Sequence, residues 1–236
     1  MSNVGDAISA ANARWSFGGD VAEHFDRHVE RSVPLYREGH GLVAELSDFF
    51  LYDGALMYEL GCSTGELINR VAERNQGRRV RLLGVDIEPG MVEVAQRKCA
   101  DFPNVRITQA DLIDLEFEPA DLVVAYYTMQ FVRPRFRQQV FDRVFAALNW
   151  GGAFLLFEKV RGPDARFQDI MTALYTDFKI RQGFDEAEIV NKTRSLKGIL
   201  EPFSTQGNID LLKRAGFQDI MTVMKYACFE GFLAIK

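Results

Sequence analysis

The sequence predicts an α/β protein built on an open, mostly parallel sheet wound with helices on both faces. Two observations carry that expectation. Between Leu56 and Val160 short apolar runs alternate with segments of helical periodicity, the pattern of successive β-α-β units. Three of those runs end in glycine or aspartate, at Gly61, Asp86 and Asp111, where an open parallel sheet meets its ligand.

Taken in order, Val21 to Phe50 reads as two amphipathic helices parted near Pro34, a helical cover ahead of the sheet. "ALMYELG" is a short apolar strand closed by glycine, and "GELINRVAERN" carries Leu67, Ile68, Val71 and Ala72 at helical spacing. "RVRLLGVD" is a buried strand, and "EPGMVEVAQRKCADF" is a helix with Pro89 in its first turn, where proline is tolerated. "NVRITQAD" and "ADLVVAYYTMQF" are the third and fourth strands. "RPRFRQQVFDRVFAALNWGG" is a long helix expected to stop at Asn149 and the glycine pair, with "AFLLFEKV" the fifth strand. From Gly162 to about Ser204 no strand candidate appears, which marks a helical insertion. "TQGNIDLLKRAGF" returns as a helix capped by Gly216, and "QDIMTVMKYACFEGFLAIK" supplies two adjacent strands, the last antiparallel. The expected organisation is a cover over residues 1–52 and a cofactor-binding domain over 53–236, with the insertion at about 162–204.

The composition narrows the function. The chain has 236 residues, 47% hydrophobic and 26% charged, with a net charge of −5. That balance is ordinary for a globular enzyme and argues against a constitutively basic nucleic-acid surface. Arg133, Arg135, Arg137 and Arg143 cluster on one helix and read as a solvated face. Cys62, Cys99 and Cys228 are scattered, without C-x-x-C spacing, so neither a zinc site nor a disulfide framework is expected. No apolar run approaches the roughly 18 residues of a membrane span, and "MSNVGDAISAANARW" lacks the features of a secretory leader. A cytoplasmic protein without membrane contact is expected.

"YELGCSTGE" satisfies G-x-S-x-G, the nucleophile elbow of α/β-hydrolases. An elbow serine needs a histidine later in the chain, but His24, His28 and His40 all precede Ser63. The stretch reads better as a binding loop, in which Gly61 and Gly65 let the backbone approach a ligand that a Cβ would repel. The spacing is not G-x-G-x-x-G, so a dinucleotide pyrophosphate site is not specified. Asp86, ending the second strand, can accept hydrogen bonds from both hydroxyls of a ribose. Asp111, after the third strand, is placed to meet an adenine amino group. Each aspartate alone could merely cap a turn; the ordered set favours a nucleoside ligand.

Together "YELGCSTGE", "LLGVDIEPGMVEVA", "ITQADLIDL" and "LNWGGAFLLFEK" resemble the motif series of class I S-adenosylmethionine-dependent methyltransferases, over about Leu56 to Val160. A narrower similarity runs nearly the full length, to the carboxy-S-adenosylmethionine synthase family of the tRNA wobble-uridine pathway. It rests on "FDRHVERSVPLY", "ELGCSTGE", "YYTMQFV", "LNWGGAFLLFEK", "DFKIRQGFDEAEI" and "LLKRAGF". The resemblance implies a Rossmann-like, doubly wound, seven-stranded sheet with an antiparallel last strand, often dimeric. It implies cofactor contacts at Tyr36, Gly61, Cys62, Ser63, Asp86, Ile87, Asp111 and Leu112, with Gly65 and Tyr126 beside them. The expected cofactor is S-adenosylmethionine or its carboxylated derivative, and the insertion is a candidate homodimer contact.

Two departures matter. Where the synthases hold the extra carboxylate of their product with an arginine, this chain has Thr193; Arg194 is adjacent, but one step along a helix turns a side chain by about 100°. Where they carry an asparagine after the fourth strand, this chain has Tyr126. Methyl transfer to a small-molecule acceptor is therefore the expected activity. The alternative is a carboxy-S-adenosylmethionine synthase with prephenate as carboxyl donor, and a silent nucleotide-binding protein is a third reading.

Methyl transfer from a sulfonium is an in-line displacement that needs alignment and exclusion of water more than a dedicated nucleophile. Candidates for a proton acceptor are Glu158, Tyr126, Tyr127, His24 and His28, with Arg194 a candidate substrate contact. Glu158 and Lys159 could equally be a strand-end ion pair. Phe17, Phe25, Tyr36, Tyr127, Phe131, Phe178 and Phe184 are candidate walls of an apolar acceptor pocket.

Overall fold

The computed structural model describes residues 1–19 and 21–236. The chain starts with a small antiparallel hairpin of β1 (Ser2–Asn3) and β2 (Ser9–Ala10), followed by α1 (Val21–Ser32) and α2 (Tyr36–Ser47). Three β-α units and a lone strand follow: β3 (Leu56–Leu60) with α3 (Glu66–Arg74), β4 (Arg81–Asp86) with α4 (Pro89–Lys98), β5 (Val105–Gln109) without a helix, and β6 (Ala120–Tyr126) with α5 (Pro134–Ala147). After β7 (Leu148–Lys159) come the insertion helices α6 (Ala165–Arg181) and α7 (Glu186–Ser195), then α8 (Thr205–Ala215), β8 (Asp219–Tyr226) and β9 (Phe229–Ile235).

The main sheet has seven strands in the order β5-β4-β3-β6-β7-β9-β8. The first five pair in parallel, and β9 runs antiparallel between β7 and β8. The doubly wound sheet with an antiparallel last strand is thus present. Its central strands are buried along their whole length, five of five residues in β3 and seven of seven in β6. Burial on both faces is why they read as continuous apolar runs rather than alternating ones.

Side-chain alternation divides the core. Leu56, Tyr58 and Leu60 pack with Val123 and Ala125 against Val140, Phe141 and Val144 of α5 and Leu211 and Leu212 of α8. Met57, Leu122 and Val124 face the other way, toward α2, α3 and α4. A buried knot ties the amino ends of the strands. There Asp121 accepts from the backbone amide of Leu56 at 2.9 Å, the hydroxyl of Tyr52 at 2.7 Å and the side-chain amide of Asn149 at 2.8 Å.

Two local features differ from the sequence expectation. β7 begins at Leu148, so Asn149 and the glycine pair lie within the strand rather than before it. The register slips between Ala120 and Leu122, and Gly151 bonds to the carbonyl of Lys236 at 2.8 Å, so pairing overrides the turn chemistry of those residues. Arg137 is also not on a solvated face. It is 1% exposed, with Nε on the carbonyl of Val132 at 2.8 Å and Nη2 on that of Gln130 at 3.0 Å.

The cover includes structure that the sequence did not announce. Val4, Ile8, Ala10 and Trp15 form a small core of their own against Leu196 and Ile199, which fastens the amino-terminal hairpin to the insertion. Among the described residues, no helix is long and apolar enough to cross a membrane.

Candidate functional site

A cavity of about 1190 Å³ opens beyond the carboxyl ends of the parallel strands, between the sheet, the cover helix α1 and the insertion. Its floor on one side is the loop after β3. Gly61, Ser63 and Gly65 all have positive φ, at 72°, 51° and 78°. A Cβ on Gly61 would lie 2.4 Å from the Thr128 methyl, so only glycine lets the β3 loop and the segment after β6 come this close. Ser63 has no such freedom; its left-handed turn is held by its own amide, which donates to Asp86 at 2.8 Å.

Asp86 is fixed from two sides. Its second oxygen accepts from the amide of Glu88 at 3.0 Å. Burial pushes its carboxyl above the usual range, and these amide bonds work in the opposite direction. A carboxylate offers about four acceptor positions, so both oxygens retain lone pairs for a ligand. Asp111 caps its own turn, accepting from the amide of Ile113 at 2.9 Å, and also lines the cavity. The capping and ligand-facing readings of this residue are therefore compatible.

The same wall contains Cys62, Ile87 and Leu112, with Ile87 57% exposed to the cavity and solvent. Glu59, on β3, is 3% exposed, and burial holds its carboxyl well above the ordinary range; Oε2 has no partner among the described residues. Cover helix α1 is tied to this wall by Asp26, which bonds Thr64 and receives Lys98 at 2.8 Å. Gly39 lets α2 lie against Tyr126, whose hydroxyl donates to the carbonyl of Tyr36 at 2.7 Å.

The catalytic candidates separate. Tyr126 lines the cavity with its hydroxyl already spent on Tyr36. Tyr127, at φ 59°, lines the cavity with a buried hydroxyl that has no partner among the described residues. Burial raises both phenols, so both are neutral hydrogen-bonding groups. Glu158 is turned away from the cavity and accepts from the amide of Gln130 at 3.2 Å; burial pushes its carboxyl up to about 8. It forms no ion pair with Lys159, which points to the opposite side and lines the cavity.

His28 lines the cavity, but its Nδ1 lies 3.0 Å from buried Asp6, and burial lowers it to about 3, so it is neutral. His24 and Arg194 are exposed and lie outside the cavity wall. Thr193 does line it, with a hydroxyl that donates to the carbonyl of Ile189 at 2.9 Å. Of the aromatic candidates, Phe17, Phe25, Tyr36, Tyr127 and Phe131 line the cavity, whereas Phe178 and Phe184 do not.

Sequence reasoning missed several titratable lining residues, among them Lys179 on α6 and Lys192 on α7. The structure shows the pattern that the sequence did not: Gln168, Met171, Thr172, Tyr175, Thr176 and Lys179 all line the cavity at helical spacing, so one stripe of α6 faces inward.

Comparison with known proteins is consistent with this geometry. A methyltransferase domain pattern matches residues 57–152. The carboxy-S-adenosyl-L-methionine synthase of Staphylococcus epidermidis is 35% identical over 94% of this chain and 97% of its own length. The synthase of that name from Sulfurimonas denitrificans is 34% identical over 96% of this chain and 97% of its own, and that of Campylobacter lari is 36% identical over 94% and 95%. Among solved structures, a putative S-adenosyl-L-methionine-dependent methyltransferase from Methanococcus maripaludis superposes with a TM-score of 0.63 at 17% identity, covering 97% of both chains. The S-adenosylmethionine-dependent methyltransferase SibL superposes at 0.64 with 17% identity, over 91% of this chain and 58% of its own. The structural likenesses establish the fold, and the near-full-length relatives establish the lineage: the chain belongs to the carboxy-S-adenosyl-L-methionine synthase family.

Proposed function

We propose that the protein binds S-adenosylmethionine at the β3 loop and transfers its methyl group to a small molecule held under the insertion. The observation that carries this reading is the half-buried Asp86 carboxylate, fixed by the amides of Ser63 and Glu88 beside a loop that only glycine could bring so close to Thr128. Such a cradle fits a ribose and the adjoining methionine moiety. In this reading Asp86 accepts from the ribose hydroxyls, Asp111 and Leu112 border the adenine, and Gly61 to Gly65, with Tyr36 and Tyr126, border the methionine end.

The bound sulfonium supplies an activated methyl group. The protein's part is to align the acceptor behind that carbon and keep water out, which the covers α1 and α6 do by closing over the strand ends. Methyl transfer is preferred over carboxylated chemistry because two positions depart from the synthase pattern. The Thr193 hydroxyl is engaged by its own helix, and the Tyr126 ring is packed against Tyr36 and His40, at 5.3 Å and 4.7 Å between centroids.

Formation of carboxy-S-adenosylmethionine is the second reading, favoured by the names of the near-full-length relatives. Calorimetric titration with S-adenosylmethionine and with its carboxylated derivative separates the two. Tighter binding of the unmodified cofactor is expected; a preference for the carboxylated one would reverse the order. A homodimer through the insertion belongs to the same reading, supported by the exposed Phe167, Ile170 and Leu174 along one side of α6. A cytoplasmic location fits three buried, unpaired cysteines.

A further inference from the structure

Tyr127 follows the last residue of β6, and its backbone is unusual. At φ 59° it lies in the left-handed region, which a ring-bearing residue rarely adopts. Neighbours impose that turn: the amide of Tyr127 donates to the carbonyl of Phe157 at 2.8 Å, and its carbonyl accepts from Nε2 of Gln130 at 3.0 Å. In an extended strand Tyr126 and Tyr127 would point to opposite faces of the sheet. Here both rings pack on one side, 4.8 Å apart between centroids, and both line the cavity. The turn is what brings a second phenol to the cavity wall.

That phenol is unmatched. Tyr127 is 7% exposed, and its hydroxyl has no hydrogen-bond partner among the described residues. The polar groups around it are engaged elsewhere. Tyr126 donates to the carbonyl of Tyr36 at 2.7 Å and Tyr175 to that of Ser32 at 2.8 Å. Glu158, the acid that most affects this phenol, accepts from the amide of Gln130 at 3.2 Å and lies outside the cavity wall. Cys228 offers only a thiol, a weak partner. A buried hydroxyl without a partner is destabilising, and phenylalanine would fill the same space without that penalty. Strain and an unmet donor at one residue of a cavity wall point to a ligand that uses both. The position fits. Thr128, the next residue, packs against Gly61 of the β3 loop, while the Tyr127 ring lies 5.8 Å from Phe229, itself 5.2 Å from Tyr175 of α6. The phenol therefore stands between the cofactor loop and the insertion.

We propose that Tyr127 is a specificity-determining residue of this site, its phenol donating a hydrogen bond to an oxygen of the molecule that lies between the β3 loop and α6. Naming that molecule the acceptor rests on the transfer reading above; the contact itself does not. Burial raises the phenol, so it keeps its proton and serves as a donor, not as a base. A ligand with carbon in place of that oxygen leaves the hydroxyl unpaired, and a site with an unmet buried donor rejects it.

The test is a magnetic-resonance titration of the full chain, with and without S-adenosylhomocysteine, using two probes of the same shape. Acetophenone carries a carbonyl oxygen where α-methylstyrene carries a CH2 group. The wild type should bind the ketone about fivefold more tightly than the hydrocarbon. Tyr127→Phe should lose that preference by weakening the ketone alone, with the hydrocarbon held within about twofold. Because the substitution removes an unpaired buried hydroxyl, the midpoint of thermal unfolding should not fall. No binding of the ketone by the wild type, equal affinity for the two probes, or the same preference in Tyr127→Phe overturns the proposal. A lower midpoint with both probes weakened alike would make the hydroxyl structural and overturns it too. A preference that depends on Tyr127, in a protein that binds neither S-adenosylmethionine nor S-adenosylhomocysteine, would sink the transfer reading and leave this contact standing.

Discussion

The amide of Ser63 donates to the carboxylate of Asp86 across 2.8 Å, so the turn after β3 and the acid ending β4 form one rigid unit. Removing the acid frees two amides at once, those of Ser63 and Glu88. Asp86→Ala should weaken S-adenosylmethionine binding at least tenfold, since charge-assisted bonds are worth about 1.5–3 kcal/mol each. Calorimetry with the variant checks this; unchanged affinity would remove Asp86 from the cofactor site.

Gly39 brings α2 against Tyr126, and a Cβ there would lie 2.1 Å from the phenolic oxygen. Gly39→Ala should cost about 1–3 kcal/mol despite the better helix propensity of alanine. Adding Tyr126→Phe should recover part of that loss, because the next atom, Cζ, is at 3.1 Å. A double-mutant cycle by denaturant unfolding measures the coupling, and additive losses would count against the contact.

Glu158 gives a pH signature. Its carboxyl is raised from 4.5 to about 8 by burial, so the folded chain holds the proton longer than the unfolded chain does. The resulting stabilisation is complete below about 4.5 and is lost as pH rises through 8. Glu158→Gln cannot lose a proton. Relative to wild type it should gain on the order of a few kcal/mol between those limits, and a flat difference curve would refute the assignment. His28 and His40, both lowered to about 3 by burial, are common to the two proteins and cancel in the difference.

Thr193 faces the cavity from α7, where the synthase pattern carries arginine. Thr193→Arg should raise affinity for carboxy-S-adenosylmethionine at least tenfold and leave that for S-adenosylmethionine within twofold, by competition binding. No gain would mean that residue 193 does not reach the transferred group.

The parts of the site that were legible in the sequence are local. Gly61, Asp86 and Asp111 each end an apolar run, and a strand end fixes where its next residue lies. Lys179 and Lys192 were not legible, because which stripe of α6 or α7 faces the sheet is decided by packing against α1 and the amino-terminal hairpin. That hairpin escaped notice because strands of two residues have no periodicity to detect. Arg137 misled through its charge: an arginine can be buried where it satisfies carbonyls that a loop leaves exposed, as it does at Gln130 and Val132. β7 misled through its glycines, which signal a turn in isolation and a bulged strand when a partner edge is available.

The most direct test of methyl transfer from S-adenosylmethionine is mass spectrometry of the small molecules released when the protein, purified from producing cells, is denatured. The account predicts S-adenosylmethionine or S-adenosylhomocysteine. Release of the carboxylated adduct in their place would contradict it.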